Sequence, residues 1–384
     1  MGGKRIRALC GEKDPRDDHY PEAWIVSTTP AAGAGAVPEQ GLSRLAEQPS
    51  LFLRDVIAAA PDTFLGRAFV RTYGCHCGVL LKLLDTAERL NVQVHPDRSS
   101  ARRFWNSPYG KTECWHFLHG RTIHGEPPVF YMGLQEHVTL SDFRRAFESG
   151  DPGQLLSCMY AFEASPGQTV LVESGVPHAL GAGCFALEIQ EPSDLTLRLE
   201  RRTVSGSVVP DEICHLGIGY DTMFSLIRCD HLSREQLLQK YVMEPKPLYE
   251  GPNGRIIRLV DDAACPYFKW TGWKWCPTWI SLLRRSFTDC SCCREKGSSC
   301  VKTGTSPSSR GNSFSYLPTA QPSVFPPMNH FPSSVSPDPR HRYDDADPFI
   351  SPGHRSILRD TPMAIAKYKQ TDPDSAKSAS RQTR

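Results

Sequence analysis

Four side chains of types that bind metal ions lie in or directly after predicted strands. Gln93 and His95 are two residues apart in one of these strands, so both side chains point to the same face. Glu113 lies in a second predicted strand, and Lys111 precedes it by two residues on the same face. His178 follows a strand and tight turn bracketed by glycines, which places its imidazole at a strand end. These residues predict a metal site if their strands converge, because a single strand histidine more often has a structural role.

Two further segments have polar and apolar faces. In Cys184–Gln190 the odd positions are the large apolar residues Phe185, Leu187 and Ile189, and Glu188 and Gln190 lie on the opposite face. In 194–200, leucines alternate with polar residues that include Arg198. This alternation is typical of an edge strand with one solvent-exposed face, and it also fits strands that line the polar interior of a barrel.

The middle of the chain is predicted to be rich in short strands, separated by Gly, Pro and Asp. The predicted strands are 91–94, 112–118, 129–133, 155–161, 169–172, 184–190 and 195–199. This spacing favours a sandwich or a small barrel over a parallel α/β sheet. Between the strands, Leu140–Ser149 is predicted to be a helix that Ser141 caps.

The first 90 residues have a mixed pattern. Residues 20–26 predict a short strand, whereas the apolar spacing from 41 onward predicts helices, including 51–60 and 80–90. Asp62 and Thr63 are candidate helix caps.

Composition narrows the class of protein. The 384 residues include 44 Lys and Arg against 42 Asp and Glu, a net charge of +2 that predicts neither a nucleic-acid nor an anionic-membrane partner. The chain has no apolar stretch long enough to cross a membrane, and its first residues lack the apolar run of a signal peptide. We therefore expect a cytoplasmic protein whose 14 cysteines are mostly packed, reduced thiols.

Several motifs closely resemble type I mannose-6-phosphate isomerases, which are zinc enzymes of the cupin superfamily. They are, in chain order, Leu-Asn-Val-Gln-Val-His-Pro-Asp at 90–97, Gly-Lys-Thr-Glu-Cys-Trp at 110–115, Val-Pro-His-Ala-Leu-Gly-Ala-Gly at 176–183, and the segment 186–198. The stretch 167–178 also resembles the second cupin motif, with Glu173 where proline is usual. The resemblance implies a mainly β fold: a cupin (jelly-roll) barrel with N-terminal helical segments.

The resemblance also implies a cofactor, a substrate and a reaction. Gln93, His95, Glu113 and His178 would bind one Zn²⁺ per chain, and zinc accepts such nitrogen and oxygen ligands. The family reaction interconverts mannose 6-phosphate and fructose 6-phosphate by proton transfer between C1 and C2 through an enediol. In the family, zinc would polarise the substrate oxygen or orient the open-chain sugar.

Three catalytic roles follow from the same resemblance. Arg198 matches the family's active-site arginine and would stabilise the developing enediolate. Lys111 would assist proton transfer or hold the sugar, with an ordinary surface lysine as the alternative. Glu188 would act as an acid or base, or would orient a ligand, so the general base stays open.

The candidates for binding the phosphate are chosen by charge alone, and none is assigned. They are Arg102, Arg103, Lys111, Arg201 and Arg202.

The motifs divide the chain into four parts. Residues 1–90 form an N-terminal β/helical part packed on the cupin, 91–225 the metal-binding cupin domain, and 226–268 a connecting segment at the start of a mostly missing second β-domain. Residues 269–384, rich in tryptophan and then in proline and serine, are predicted to be an aberrant, largely disordered tail. Our hypothesis for this tail is a shifted reading frame, a retained non-coding segment or a gene fusion.

Other functions stay open beside the isomerase. A non-catalytic cupin that binds sugar or metal as a regulator, or an inactive truncated isomerase, would also keep the ligands, although Lys111 and Arg198 favour the enzyme. Gln and Glu among the ligands disfavour an iron oxygenase. The cysteines of 75–77 are weaker candidates for metal binding, because they lack a properly spaced second half. Those of 290–300 could bind zinc in isolation, but no pattern of strands and turns surrounds them.

Overall fold

The computed structural model describes residues 1–32, 36–37, 39–46, 48–251 and 254–274. Its strands are β1 (Glu22–Ile25), β2 (Leu80–Asp85), β3 (Gln93–Val94), β4 (Glu113–Gly120), β5 (Val129–Leu134), β6 (Met159–Glu163), β7 (Thr169–Val172), β8 (His178–Leu180), β9 (Cys184–Gln190), β10 (Leu197–Arg198), β11 (Lys246–Gly251), β12 (Gly254–Val260) and β13 (Trp270–Lys274). Its helices are α1 (Lys4–Leu9), α2 (Leu53–Ala59), α3 (Pro61–Phe64), α4 (Arg67–Tyr73), α5 (Arg98–Trp105), α6 (Leu140–Ser149), α7 (Pro152–Ser157), α8 (Asp211–His215), α9 (Tyr220–Ser225) and α10 (Arg234–Tyr241). None of these helices has the length and apolar character needed to cross a membrane.

The strands form three antiparallel sheets. The first sheet has the order β1-β2-β9-β4-β7, the second β10-β3-β8-β5-β6, and the third β11-β12-β13. The predicted mainly β fold with helices is therefore confirmed, while the strand pairing within the described ranges closes no single barrel.

The first and second sheets face each other across a shared core. Along β4, alternate residues Glu113, Trp115 and Phe117 share the inner face. The Phe117 ring stacks on Phe130 of the second sheet at 5.5 Å between centroids, and Trp115 meets the same ring edge-on at 6.2 Å. Because Glu113 follows the same alternation as these aromatics, the inner face is apolar at one end and polar at the other.

The outer face of the first sheet is also covered. Phe185 of β9 packs with Ile6 of α1, and Ile189 packs with Val260 of β12 and with Phe268 of the loop between β12 and β13. The strand β9 is thus a central strand, and its polar residue Glu188 faces the interior. Of the two interpretations of its alternation, the polar interior is correct and the edge strand is wrong.

The predicted helix over 80–90 is wrong. Leu80–Asp85 is strand β2, paired with β1 and β9. Leu84 faces the core between the two sheets, while Leu83 packs against α1 on the outside. A strand buried on both faces is a continuous apolar run, which periodicity alone does not distinguish from a buried helix.

Helix caps explain two other differences between the predicted and the observed elements. The strand predicted over 155–161 begins only at β6, because Asp151 caps helix α7 by accepting the Gly153 N–H at 2.8 Å. Helix α6 has the predicted bounds, but its cap is Thr139, which forms a reciprocal capping box with Asp142.

The helix caps predicted at Asp62 and Thr63 are also wrong. Helix α3 begins at Pro61 after Ala60, without a side-chain cap from Asp62 or Thr63.

The segment after residue 225 packs on the sheets. Leu237 and Tyr241 of α10 are buried in the core between the first and second sheets. Residues 270–274, which the sequence analysis assigned to the disordered tail, form strand β13 paired with β12. The rest of that tail, 275–384, lies outside the described residues.

We expect Phe130→Ala to lower the free energy of unfolding by about 3–5 kcal/mol, because it opens a cavity between the two facing sheets. Urea denaturation followed by circular dichroism measures the loss. The control is Tyr249→Ala on β11, where the side chain is exposed and a change below about 0.5 kcal/mol is expected. Equal losses in the two variants would contradict a core shared by the sheets.

Candidate metal centre and cavity

Three of the predicted ligands converge at the polar end of the inner face. His95, Glu113 and His178 are all buried, and their candidate ligand atoms lie within 4.8 Å of one another. The Nε2 atom of His95 is 3.1 Å from Oε2 of Glu113, and that of His178 is 3.3 Å from Oε1. The two imidazole rings are 4.7 Å apart.

Backbone carbonyls fix the tautomers of both histidines. His95 Nδ1 lies 3.1 Å from the Leu195 carbonyl, and His178 Nδ1 lies 2.8 Å from the Val176 carbonyl. A carbonyl only accepts, so each Nδ1 must carry the hydrogen, and in the neutral ring Nε2 is then an acceptor. Burial, together with the nearby Lys111 charge, lowers the pKa of His95 to about 3, so this ring is neutral at pH 7.

The resulting cluster contains acceptors that face one another. Both Nε2 atoms and both oxygens of Glu113 are buried without a hydrogen-bond partner. Burial alone would raise the pKa of Glu113, but the Lys111 ammonium 3.6 Å from Oε2 lowers it below its ordinary value, so the carboxyl is ionised. Unpaired buried acceptors are costly, and a cation between them removes that cost. The donor set of two imidazoles and one carboxylate fits a zinc ion.

Gln93 stands next to this cluster. It is the register partner of His178 on β8 and of Arg198 on β10. Its side chain lines the cavity described below. The register thus places all four predicted ligands in one region.

A cavity of about 120 Å³ lies between the two sheets beside the cluster. Its lining residues are mostly polar: Glu22, Lys82, Leu84, Leu90, Gln93, Lys111, Trp115, Leu180, Glu188, Asp194, Thr196 and Arg198. All three residues predicted to be catalytic are among them. The strands β9 and β10 belong to different sheets, and their polar faces meet across this cavity.

Lys111 is buried, so the alternative of an ordinary surface lysine is wrong. Its Nζ donates to Thr196 Oγ1 at 3.0 Å and lies 3.6 Å from Glu113 Oε2. One ammonium group thus connects the ligand cluster with the cavity.

Glu188 lies between an indole and a second lysine. It accepts the Trp115 Nε1–H at 3.2 Å, and its other oxygen is 3.6 Å from Lys82 Nζ. Burial and the nearby Glu113 charge raise the pKa of Glu188 to about 7, against the opposing effect of Lys82 and Lys111.

Arg198 reaches the cavity from β10. Its Nη1 donates to the Ile213 carbonyl of α8 at 3.3 Å, which orients the partly buried guanidinium.

The sequence analysis missed Lys82 as a cavity residue. Its Nζ is within 4.0 Å of Glu22, Glu188 and Asp194, and it lies 4.6 Å from the centre of the Trp24 ring. Burial alone would lower the pKa of Lys82, but the three carboxylates raise it. A lysine within an otherwise apolar run was the available signal, and the helical interpretation of 80–90 concealed it.

The weaker candidates do not join the site. His76 of the Cys-His-Cys segment contacts the Tyr109 hydroxyl. Among the described residues, His95, Glu113 and His178 are the only His, Cys, Asp or Glu side chains that form a group of three close enough to share a metal ion. Of the five basic residues considered for phosphate, Lys111 alone is among the cavity-lining residues. The cysteines of 290–300 lie outside the described residues.

Together, the fold and site define a mainly β protein of two facing sheets with a buried His-Glu-His cluster beside a polar cavity. Residues 1–117 match the family model of the type I phosphomannose isomerase catalytic domain. The resemblance found in the sequence is therefore confirmed.

Curated relatives and a solved structure agree with this match. The chain is 38% identical over 198 residues to the probable mannose-6-phosphate isomerase GmuF of Bacillus subtilis, covering 52% of this chain and 56% of the relative. It is 33% identical over 133 residues to the mannose-6-phosphate isomerase ManA of the same organism, covering 34% and 40%. The chain thus spans about half the length of the curated relatives it matches.

The crystal structure of the mannose 6-phosphate isomerase from Bacillus subtilis is similar in fold. Its TM-score is 0.51 at 22% identity, over 71% of this chain and 75% of that one.

We expect Glu188 to make stability depend on pH. Its pKa of about 7 in the fold exceeds the ordinary 4.5, so the folded protein retains a proton that the unfolded chain loses, and this contribution to stability decreases as pH rises between these values. Glu188→Gln lacks this effect. Its free energy of unfolding, minus that of the unmodified protein, is therefore expected to increase by about 3 kcal/mol from pH 4.5 to pH 7.5.

Urea denaturation of the chelator-treated protein at the two pH values measures this difference. The matched control is Glu163→Gln, which removes an exposed carboxylate on β6. A difference that stays constant for Glu188→Gln would show that its carboxyl has an ordinary pKa.

Proposed function

We propose that this chain is a zinc-dependent aldose–ketose isomerase that interconverts mannose 6-phosphate and fructose 6-phosphate. The observation that carries the proposal is the buried group of unpaired acceptors on His95, Glu113 and His178, directly beside a polar cavity. The names of the curated relatives supply the substrate.

In the proposed enzyme, His95, Glu113 and His178 hold one zinc ion together with Gln93. When bound, zinc would supply Lewis-acid polarisation of a substrate oxygen and raise the acidity of the adjacent carbon. The Nδ1–H groups of the two histidines stay on backbone carbonyls and keep Nε2 directed at the site.

The proton transfer between C1 and C2 requires a group that accepts one proton and returns it. We assign this role to Glu188, because a carboxyl with a pKa near 7 exchanges protons readily at neutral pH. The Trp115 indole holds one of its oxygens, and Lys82 lies beside the other. Lys111, hydrogen-bonded to Thr196, is placed to hold a sugar hydroxyl or to move a second proton.

The negative charges of the reaction require cationic partners. The enediolate carries one negative charge on oxygen, and the phosphate carries about two at neutral pH. Arg198 supplies a guanidinium whose direction the Ile213 carbonyl fixes, and we propose that it faces the enediolate. Lys82 and Lys111 add positive charge to the same cavity.

A non-catalytic sugar or metal binder is the second candidate. It needs the ligand cluster but not a carboxyl with a raised pKa facing the cavity, and Glu188 therefore favours the enzyme. A cytoplasmic location stays a prediction from the sequence.

We expect the full chain loaded with zinc to convert mannose 6-phosphate to fructose 6-phosphate in a coupled assay. Chelation should abolish turnover and added zinc should restore it. Gln93→Ala and His178→Ala should each lose at least 100-fold in kcat/KM, whereas His137→Ala, an exposed histidine, should keep full activity. Bound zinc without turnover in a folded protein would favour the binder over the enzyme.

We expect Arg198→Gln to lower kcat about 100-fold or more while zinc content stays unchanged, because the guanidinium acts on charge that develops during the reaction. Steady-state kinetics with zinc analysis by mass spectrometry measures both quantities. The matched control is Arg202→Gln, since Arg202 is exposed and lies outside the cavity lining. A change in KM alone would reassign Arg198 to substrate binding.

A further inference from the structure

We infer that Glu173 and Arg228 form a positioning pair that holds the metal-ligand turn from outside the cluster. This inference rests on the proposed metal site. It concerns the turn of residues 173–177 between β7 and β8, which leads directly into His178. The residues that fasten this turn come from 226–241, a segment that the sequence analysis placed outside the metal-binding domain.

The turn contacts two of the clustered ligands, His95 and His178, and the strand before it pairs with the third. The Gly175 N–H donates to the His95 carbonyl at 2.8 Å. Val172, the last residue of β7 before the turn, is the register partner of Glu113. The Val176 carbonyl accepts Nδ1–H of His178 at 2.8 Å. A displacement of the turn would therefore move His178 relative to His95 and Glu113.

The other side of the turn is fastened by Arg228. Its backbone N–H donates to the Gly175 carbonyl at 2.8 Å, and its Nη1 donates to Glu173 Oε2. Gly175 has a φ of +83°, and a Cβ there would lie 2.8 Å from Arg228 Cγ and 2.9 Å from the Leu226 carbonyl oxygen. The two segments thus pack at backbone distance, which leaves no space for a side chain between them.

Further side chains hold the pair in place. Arg228 Nη2 donates to Asp230 at 2.6 Å, and Lys240 Nζ lies 3.4 Å from Glu173 and 3.5 Å from Asp230. The buried Tyr241 donates its hydroxyl to Glu173 at 3.2 Å. Because Tyr241 is anchored in the core, Glu173 connects the turn to a rigid helix as well as to Arg228.

The position of Glu173 explains an unusual feature of the sequence. Proline is usual at this point of the cupin motif and fixes the turn through its own ring. Here the carboxylate of Glu173 occupies the position. Its ionic contacts with α10 and with Arg228 restrict the conformation of the turn instead. A proline would remove these contacts.

We expect Glu173→Gln and Arg228→Ala each to increase the zinc dissociation constant of the full chain about 10-fold or more, since groups that orient ligands typically have effects of this size. Competition with a chelator of known affinity measures the constant. The visible absorption of the Co²⁺-loaded protein is expected to change in band position or intensity, because the ligand geometry changes. Arg228→Lys keeps the positive charge but loses the simultaneous contact with Glu173 and Asp230. Its zinc dissociation constant should lie between those of the unmodified chain and Arg228→Ala.

The control is Glu148→Gln, which breaks the Arg144–Glu148 surface pair on α6 and should leave zinc affinity and the Co²⁺ spectrum unchanged. Circular dichroism establishes whether each variant is folded. If Arg228→Ala does not fold, Glu173→Gln and Arg228→Lys carry the test. Unchanged zinc affinity and Co²⁺ spectrum in folded Glu173→Gln would overturn the positioning role while leaving the metal site intact. If the unmodified chain binds no zinc, and His178→Ala likewise binds none, the proposed function and this inference are both overturned.

Discussion

The constraint on which the rest of the site depends is a set of four buried acceptor atoms, on His95, Glu113 and His178, that lack a hydrogen-bond partner. They come from two sheets, because Glu113 lies on β4 while His95 follows β3 and His178 begins β8. Such an arrangement is unfavourable unless a cation occupies it. At the apolar end of the same face, the rings of Trp115 and Phe130 pack across the two sheets and hold them together.

Much of the site was predictable because its residues follow local rules. Alternation along β9 correctly placed Glu188 on a polar face, and two-residue spacing placed Lys111 beside Glu113. Convergence of the strands was not predictable from spacing, since it depends on which strands pair. The prediction that His178 and Gln93 belong to one site came from the resemblance to a known family and not from periodicity.

The failures of prediction have a common physical origin. Strand β2 is buried on both faces, so its leucines show no period of two and Lys82 was hidden in an apparent helix. The contacts that the segment after residue 225 makes with the turn of residues 173–177 were not predicted either, because Arg228 and Tyr241 make them at long range. Local sequence does not report which distant backbone a side chain holds.

Trp115 contacts both the apolar core and the polar site, and this position has an optical consequence. Its ring packs on Phe130 in the core and lies 5.4 Å from the His178 ring, while its N–H donates to Glu188. A change in the charge of Glu188, or a cation beside His178, alters the electric field along the indole and hence the energy of its excited state. The site thus contains a buried chromophore of its own, whose absorption and emission are expected to respond to charge in the cavity.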